Sequence, residues 1–362
     1  MSTIGPDLEV ERSEPAPLLL CERRSVVKKI AAIGAAALLP GALLPQREAQ
    51  AATPGKFAYK LGLSLAQSHP TTIALRAACA EILRESNGRL AIEVYPNSAL
   101  GGDTDMISQL RSGGMEFVCT AGLIWGTVVT RASISGIGYA FQNYQSVWEA
   151  MDGGLGAHIR EGFIAANLFP QSKIWDHGFR QITSSSKAIN VPQDLAGMKI
   201  RVPLSPALAS LFRSFGAAPE GINMAEVYTS LQSKLVDGQE NPLAMLQTQR
   251  LFEVQKYCSL TSHVWDGFWL VANRQKWNAL PEDIRDMASH TFDAHALLQR
   301  QAVAALNARL QEDLKTQGMI VNAPDLMPFR LALQKTSFYR DWQRKFGSEQ
   351  WARLERYSGP LV

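Results

Sequence analysis

Phe57-Ala58-Tyr59-Lys60-Leu61-Gly62-Leu63-Ser64-Leu65 reads as a buried strand, and the residues up to Thr120 then switch repeatedly between helical and strand periods. Thr71 to Ser86 is helical; Leu90 to Tyr95 alternates, with Leu90, Ile92 and Val94 turned inward. Asp103 to Ser112 is helical again, and Met115 to Thr120 is a short apolar strand. The boundaries carry matching signals: Ser68 and Pro70 suit the first helix start, Asn87-Gly88 its end, Asp103 the next cap and Gly113-Gly114 its close. Strand, helix, strand, helix, strand predicts an α/β fold whose mainly parallel sheet is covered by helices on both faces.

Working outward, the pattern restarts after residue 175. Arg180 to Ser184 and Met198 to Val202 read as strands, followed by Ser205 as a helix cap, Pro206 at the first helical position and Gly216 beyond the end. Ala225 to Lys234 and Leu243 to Arg250 read as helices, Val236 to Glu240 and Trp265 to Asn273 as strands. A second α/β unit is implied. From Glu282 to Gln317 there is neither Gly nor Pro, and apolar residues recur at Ile284, Met287, Leu297, Leu298, Leu306, Leu310 and Leu314. A single helix of that length would reach about 50 Å and could strap two lobes together. The alternative is two helices joined near Asp293-Ala294.

Composition narrows the function classes. At 362 residues, 46% apolar and 19% charged, the chain has material for two globular domains and is neither disordered nor a coiled coil. A formal charge of +3 is too mild for a nucleic-acid partner. Near the start, Arg23-Arg24-Ser25-Val26-Val27-Lys28 precedes an Ala/Leu-rich run from Ile30 to Leu44 and then Ala49-Gln50-Ala51. These have the form of the n-region, h-region and cleavage site of an export signal over residues 1–51. The paired arginines favour the twin-arginine route, although Glu22 and Val26-Val27 depart from its usual pattern and leave Sec export open. An uncleaved anchor is the rival, but the run is short for a bilayer and contains Pro40-Gly41. The expected location is the periplasm. Cys79, Cys119 and Cys258 fit neither a disulfide framework nor a metal motif and read as buried thiols.

Catalytic signatures are absent: there is no G-x-S-x-G, H-E-x-x-H, C-x-x-C or phosphate-binding loop, and the six histidines do not pair at ligand spacing. Gly136-Ile137-Gly138 lacks the rest of a dinucleotide loop. No catalytic residue, metal site or cofactor is expected.

One ordered set of blocks does stand out. Asp194-Leu195-Ala196-Gly197-Met198-Lys199-Ile200-Arg201-Val202-Pro203 is followed by Met224-Ala225-Glu226-Val227-Tyr228 and then by Val236-Asp237-Gly238-Gln239-Glu240-Asn241-Pro242. In order and spacing these resemble the DctP-type solute-binding subunits of TRAP transporters, from about Phe57 to beyond Leu326. The resemblance implies a two-lobe periplasmic-binding-protein-like fold. Residues 54–177 plus 266–305 would form one lobe, 178–265 plus 306–362 the other, with the long helix spanning both. It also implies a receptor that takes a small organic acid to a small and a large membrane subunit.

The resemblance assigns Arg201 as the carboxylate anchor, and its chemistry agrees: a planar guanidinium matches a carboxylate with two parallel hydrogen bonds. An internal ion pair is the structural alternative for a strand arginine. By the same resemblance Asn241 bonds the ligand, Arg180 lines the cleft or forms a hinge salt bridge, and Met224 supplies a wall. The loops at Gln67-Ser68-His69 and Thr120-Ala121-Gly122 face the cleft from the other lobe, as the carboxyl ends of parallel strands do. Trp175, Trp265 and Phe268 are candidates for an apolar wall, which inclines the expected ligand toward an aromatic or branched acid; a sugar acid would use Gln67, Ser68, His69, Thr120 and His177 instead. Two rivals stay open from sequence: a sensor receptor of the same fold, and a periplasmic enzyme using Glu240 or His177 as a base.

Overall fold

The structure, a computed structural model, describes residues 57–362. The export signal expected over residues 1–51 lies outside the described residues. The strands run, in chain order, β1 (Phe57–Gly62), β2 (Leu90–Tyr95), β3 (Phe117–Ala121), β4 (Leu168–Pro170), β5 (Trp175–Phe179), β6 (Gln181–Ser184), β7 (Lys199–Val202), β8 (Ala218–Gly221), β9 (Gly238–Asn241), β10 (Tyr257–Ser259), β11 (Trp265–Asn273) and β12 (Ile320–Asn322). They form two sheets. The first has the order β2-β1-β3-β11-β4, with β5 also pairing β11, and the second has the order β12-β10-β6-β9-β7-β8.

Both sheets are mixed. Parallel pairing of β1 with β2 and β3, and of β7 with β8 and β9, follows the strand-helix-strand reading. Strands that return from the other lobe pair antiparallel: β11 on β3, β4 and β5, and β6 on β9 and β10. A sequence reading of successive βαβ units does not anticipate them, because their partners are distant in the chain.

The helices are α1 (Pro70–Glu85), α2 (Asp103–Ser112), α3 (Gly122–Trp125), α4 (Tyr144–Asp152), α5 (Gly154–Ala165), α6 (Pro206–Ser214), α7 (Val227–Gln232), α8 (Leu243–Thr248), α9 (Arg274–Asn278), α10 (Glu282–Thr316), α11 (Met327–Gln334), α12 (Phe338–Phe346) and α13 (Ser348–Ser358). Ser205 caps α6 ahead of Pro206, as its hydroxyl and position predict. His69, rather than Ser68, caps α1, its Nδ1 accepting from the Thr71 N–H at 3.2 Å. The final helices touch elements of both halves, α13 against α4 and α5, and α11 and α12 against α6.

α10 is one unbroken helix of 35 residues, so the two-helix alternative does not hold. Acidic Glu282 and Asp283 open it and Lys315 closes it, each complementing the helix dipole. Its packed face is Ala288, Phe292, Ala296, Gln299 and Val303, whereas Leu297 and Leu298, counted in the expected apolar stripe, point to solvent. Gln299 and Arg300 staple its middle to the first sheet. Gln299 Nε2 donates to Thr71 Oγ1 and to the Asp176 carbonyl, while Arg300 grips the Ile174 carbonyl and both oxygens of Asp152. Farther along, α10 packs against α8 and β12 of the second half.

The chain crosses between the sheets at Arg180, between β5 and β6, and again between β10 and β11. The Arg180 N–H donates to the Val264 carbonyl at 2.8 Å, so the two crossings lie side by side. Gly178, just before the first, holds φ +116° with its missing Cβ position 3.3 Å from Pro242. Only glycine adopts that backbone without strain. The three described cysteines are buried and unpaired; burial pushes the thiols of Cys79 and Cys258 up to about 12.

Candidate functional site

Strand ends of both sheets converge on a cavity of about 30 Å³. From the first sheet come Ser64 and Leu65 after β1, Thr120 and Ala121 at the end of β3, His177 on β5 and Phe268 on β11, with Asp103 and Ile124 from the helices that follow β2 and β3. From the second come Arg201 and Pro203 at the end of β7, Asn241 at the end of β9, Met224 and Met245; Arg180 enters from the crossing itself. A broader groove of about 470 Å³ lies elsewhere, lined by Tyr139, Phe141, Met327 and Arg330 among others. It lacks the feature that distinguishes the smaller cavity, two buried guanidinium groups.

Those two arginines have opposite surroundings. Arg180 is 1% exposed and fully engaged. Its Nε donates to Glu240 Oε2 at 2.5 Å, and its Nη2 to Glu240 Oε1 at 2.8 Å and to Asn241 Oδ1 at 3.1 Å. Burial alone would favour a neutral guanidine, but the Glu240 carboxylate outweighs it and raises the Arg180 pKa. Glu240 is correspondingly held below the usual carboxylate range: burial opposes ionisation, and Arg180 and His263 overcome it. The Nε2–H of His263 donates to Glu240 Oε2 at 3.1 Å, with Thr261 Oγ1 at 2.8 Å from its Nδ1. This is a closed network.

Arg201 is 2% exposed and forms no ion pair among the described residues. It occupies the third position of β7, between Ile200 and Val202, which pack in the core. Alternation therefore sends its side chain the other way. Its Nε and Nη2 both donate to the Ile222 carbonyl, at 2.8 and 2.6 Å, which fixes the plane of the group. The edge formed by Nη1 and the second hydrogen of Nη2 has no acceptor among the described residues. Burial lowers its pKa to about 10, with Glu240 and Asp103 opposing and Arg180 adding to the effect. At neutral pH it is still a cation, buried and lacking a counter-ion in contact.

Across the cavity, Asp103 is also buried, accepting from Thr120 Oγ1 at 2.6 Å and from Ser64. Burial raises its pKa, an effect partly offset by those hydrogen bonds and by Arg201. Asn241 is held from both sides, its Oδ1 by Arg180 and its Nδ2 donating to Gln239 Oε1 at 2.6 Å.

Of the residues singled out from sequence, Arg201, Asn241, Arg180, Met224, Ala121 and Phe268 meet around this cavity. Four do not. Gln67 is exposed on the loop before α1. His69 is buried beneath it as the α1 cap, edge-on to Phe268 at 6.2 Å, with burial lowering its pKa to about 3. Trp175 is wholly buried in the core. Trp265 is turned into the first lobe, donating to Asp176 Oδ1 at 3.0 Å and packed edge-on against Phe141 and Trp148. Thr120 and His177, named as polar contacts for a sugar acid, also line the cavity, whereas Ser64, Asp103 and Met245 were not among the chosen candidates. The carboxyl-end rule for parallel strands points at Ser64 and at Asp103, which open the connections after β1 and toward β3; Met245, on a helix, carries no such signal.

Two α/β lobes that close their strand ends on a buried, unpaired cation define a ligand receptor of the two-lobed solute-binding class. Residues 61–343 match the family DctP, described as bacterial extracellular solute-binding protein, family 7. The chain therefore belongs to the DctP family, the solute-binding proteins of TRAP transporters. The protein y4mM of Sinorhizobium fredii is 33% identical over 66% of this chain, a match that spans 43% of that longer protein. Solute-binding protein RD1_1052 of Roseobacter denitrificans is 31% identical over 70% of this chain and 77% of its own. Its crystal structure, with bound L-galactonate, superposes with a TM-score of 0.78 at 27% identity, covering 84% of this chain and 99% of that one. A TRAP solute-binding protein from Polaromonas sp. JS666, bound to D-erythronate, gives a TM-score of 0.79 at 27% identity, covering 84% and 99%. The family is extracytoplasmic, and no helix among the described residues is long and apolar enough to cross a membrane.

Proposed function

We propose that this receptor captures a small hydroxylated organic acid, with the free edge of Arg201 taking the carboxylate, and delivers it to the small and large membrane subunits of a TRAP transporter. The observation that carries this is the state of Arg201. A guanidinium nearly sealed from water is costly unless an anion meets it, and its inner edge is already oriented by the Ile222 carbonyl. Asn241 completes the second-lobe wall, while Arg180, neutralised by Glu240, supports Asn241 and braces the crossing.

The polar side of the cavity supports hydroxyl groups on the rest of the ligand. Ser64, Asp103 and Thr120 face the second lobe with hydroxyls and an acceptor carboxylate. Of the wall candidates Trp175, Trp265 and Phe268 behind the incline toward an aromatic or branched body, Phe268 lines the cavity and the two tryptophans do not. D-erythronate and L-galactonate in the related structures agree in kind. The export signal expected at residues 1–51 would deliver the chain to the periplasm for this role.

A thermal-shift screen of hydroxy acids, sugar acids and short dicarboxylates identifies the cargo, and calorimetry with the best binder tests the anchor. Arg201→Ala should weaken binding by on the order of 2–5 kcal/mol, with Arg201→Lys intermediate because it keeps the charge and loses the two-point fork. An Arg201→Ala protein that binds within about threefold of wild type would end the proposal.

A further inference from the structure

Resting on that reading of the cavity, we infer that His177 is a specificity-determining residue, whose Nε2–H is a fixed hydrogen-bond donor selecting acids that carry an oxygen acceptor beyond the carboxylate. Three features of the geometry lead there. The first is the tautomer. Arg180 Nη1 lies 3.4 Å from His177 Nδ1, and a guanidinium has only donors to offer. Nδ1 must accept, so the neutral ring carries its proton on Nε2.

The second is that this donor is stranded. His177 lines the cavity and is 4% exposed, yet its Nε2 is buried without a hydrogen-bond partner among the described residues. An orphaned buried donor costs roughly 1–3 kcal/mol, which a correctly placed oxygen would recover. The third is orientation. The imidazole stacks on Phe268 with centroids 4.2 Å apart and planes 29° from parallel, so packing fixes the direction of Nε2 as Arg180 fixes its proton.

The ring also stays neutral. Burial, then the charges of Arg180, His69 and Arg201, drives its pKa well below the ordinary histidine value. An acid that places a hydroxyl or carbonyl oxygen against Nε2 satisfies the donor. One that is bare at that position leaves it unpaired and binds less tightly.

Two measurements test this. Long-range proton–nitrogen NMR on labelled protein, with the His177 signals assigned by their loss in His177→Gln, should show a neutral ring protonated on Nε2; an Nδ1–H tautomer or a charged ring at neutral pH overturns the inference. Calorimetry then compares D-erythronate, L-galactonate or D-glucuronate, whichever binds the wild type most tightly, with its 2-deoxy and 3-deoxy forms. One deoxy acid should bind the wild type about tenfold more weakly. That gap should collapse in His177→Leu and return in His177→Gln, which restores an N–H near Nε2. If the acids bind through Arg201 but the gap is unchanged in His177→Leu, the inference fails while the anchor stands. If none of the acids binds the wild type, or Arg201→Ala binds them equally well, the anchor reading fails and this inference with it.

Discussion

The two buried arginines show how little residue type alone decides. Arg180 and Arg201 are equally sealed, but one has Glu240 in contact and the other has only a backbone carbonyl. The sequence could nominate both and could not say which carried a partner, because Glu240 lies on a different strand and its direction depends on the register of β6 against β9. Trp265 illustrates the same limit. Three residues apart on β11, Trp265 and Phe268 face opposite ways by alternation, and which of the two meets the cavity is set by the pairing of β11 with β3 and β5, not by residue type.

Asp266 and Asp176, on paired strands near the crossing, yield a prediction at this scale. Burial raises each carboxyl to about 7, and Asp266 has one oxygen without a hydrogen-bond partner among the described residues. An unfolded aspartate titrates near about 3.9. Between about 4 and 7 the folded protein therefore holds protons that the unfolded chain has released, and stability falls as pH rises through that window. His69, kept neutral down to about 3, pushes the other way below about 6.5. Urea unfolding of wild type and Asp266→Asn at pH 5 and pH 8 isolates the aspartate. The variant should lose about 2–3 kcal/mol less than wild type over that interval. Equal losses would show that Asp266 is ionised in the folded protein throughout.

Among the elements, the helices and the first parallel strands were legible because their signals are local: period, cap and turn residues. β11 was also read at its full length from a run of apolar residues, but not its antiparallel partners, which are separated from it by most of a lobe. α10 was legible as one helix from the absence of breakers, while its packed face was not. Gln299 and Arg300 are buried there, and Leu297 and Leu298 are not, because the polar pair meets specific carbonyl and carboxylate partners on β5, the segment before it, and α4. The unbroken helix should show in mutants at Ala302, an exposed position in its middle. Ala302→Gly should cost about 1 kcal/mol and Ala302→Pro about 3 kcal/mol in chemical denaturation. A proline variant as stable as the glycine one would mean that the helix bends there without penalty.

For the molecule as a whole, a cavity of about 30 Å³ has room for a water, not for an acid of several carbons. We expect the lobes to part to admit one, with rotation at the two adjacent crossings joined by Arg180 and Val264. Small-angle X-ray scattering should give a larger radius of gyration for the empty receptor than for the loaded one. Identical radii with a tightly bound acid would point to side-chain movement alone.

The seat of Arg201 has a consequence for how such a receptor changes its cargo. Its inner edge is held by main chain, the carbonyl of Ile222, and not by another side chain. If Arg201 is the anchor proposed above, substitutions elsewhere in the cavity can alter the shape offered to a ligand without releasing the charge that catches it. Retargeting becomes a search over Ser64, Asp103, Thr120, His177 and Phe268 on a lobe that the anchor does not belong to. Evolution or a designer can explore new acids there one residue at a time, with the point of first capture kept constant.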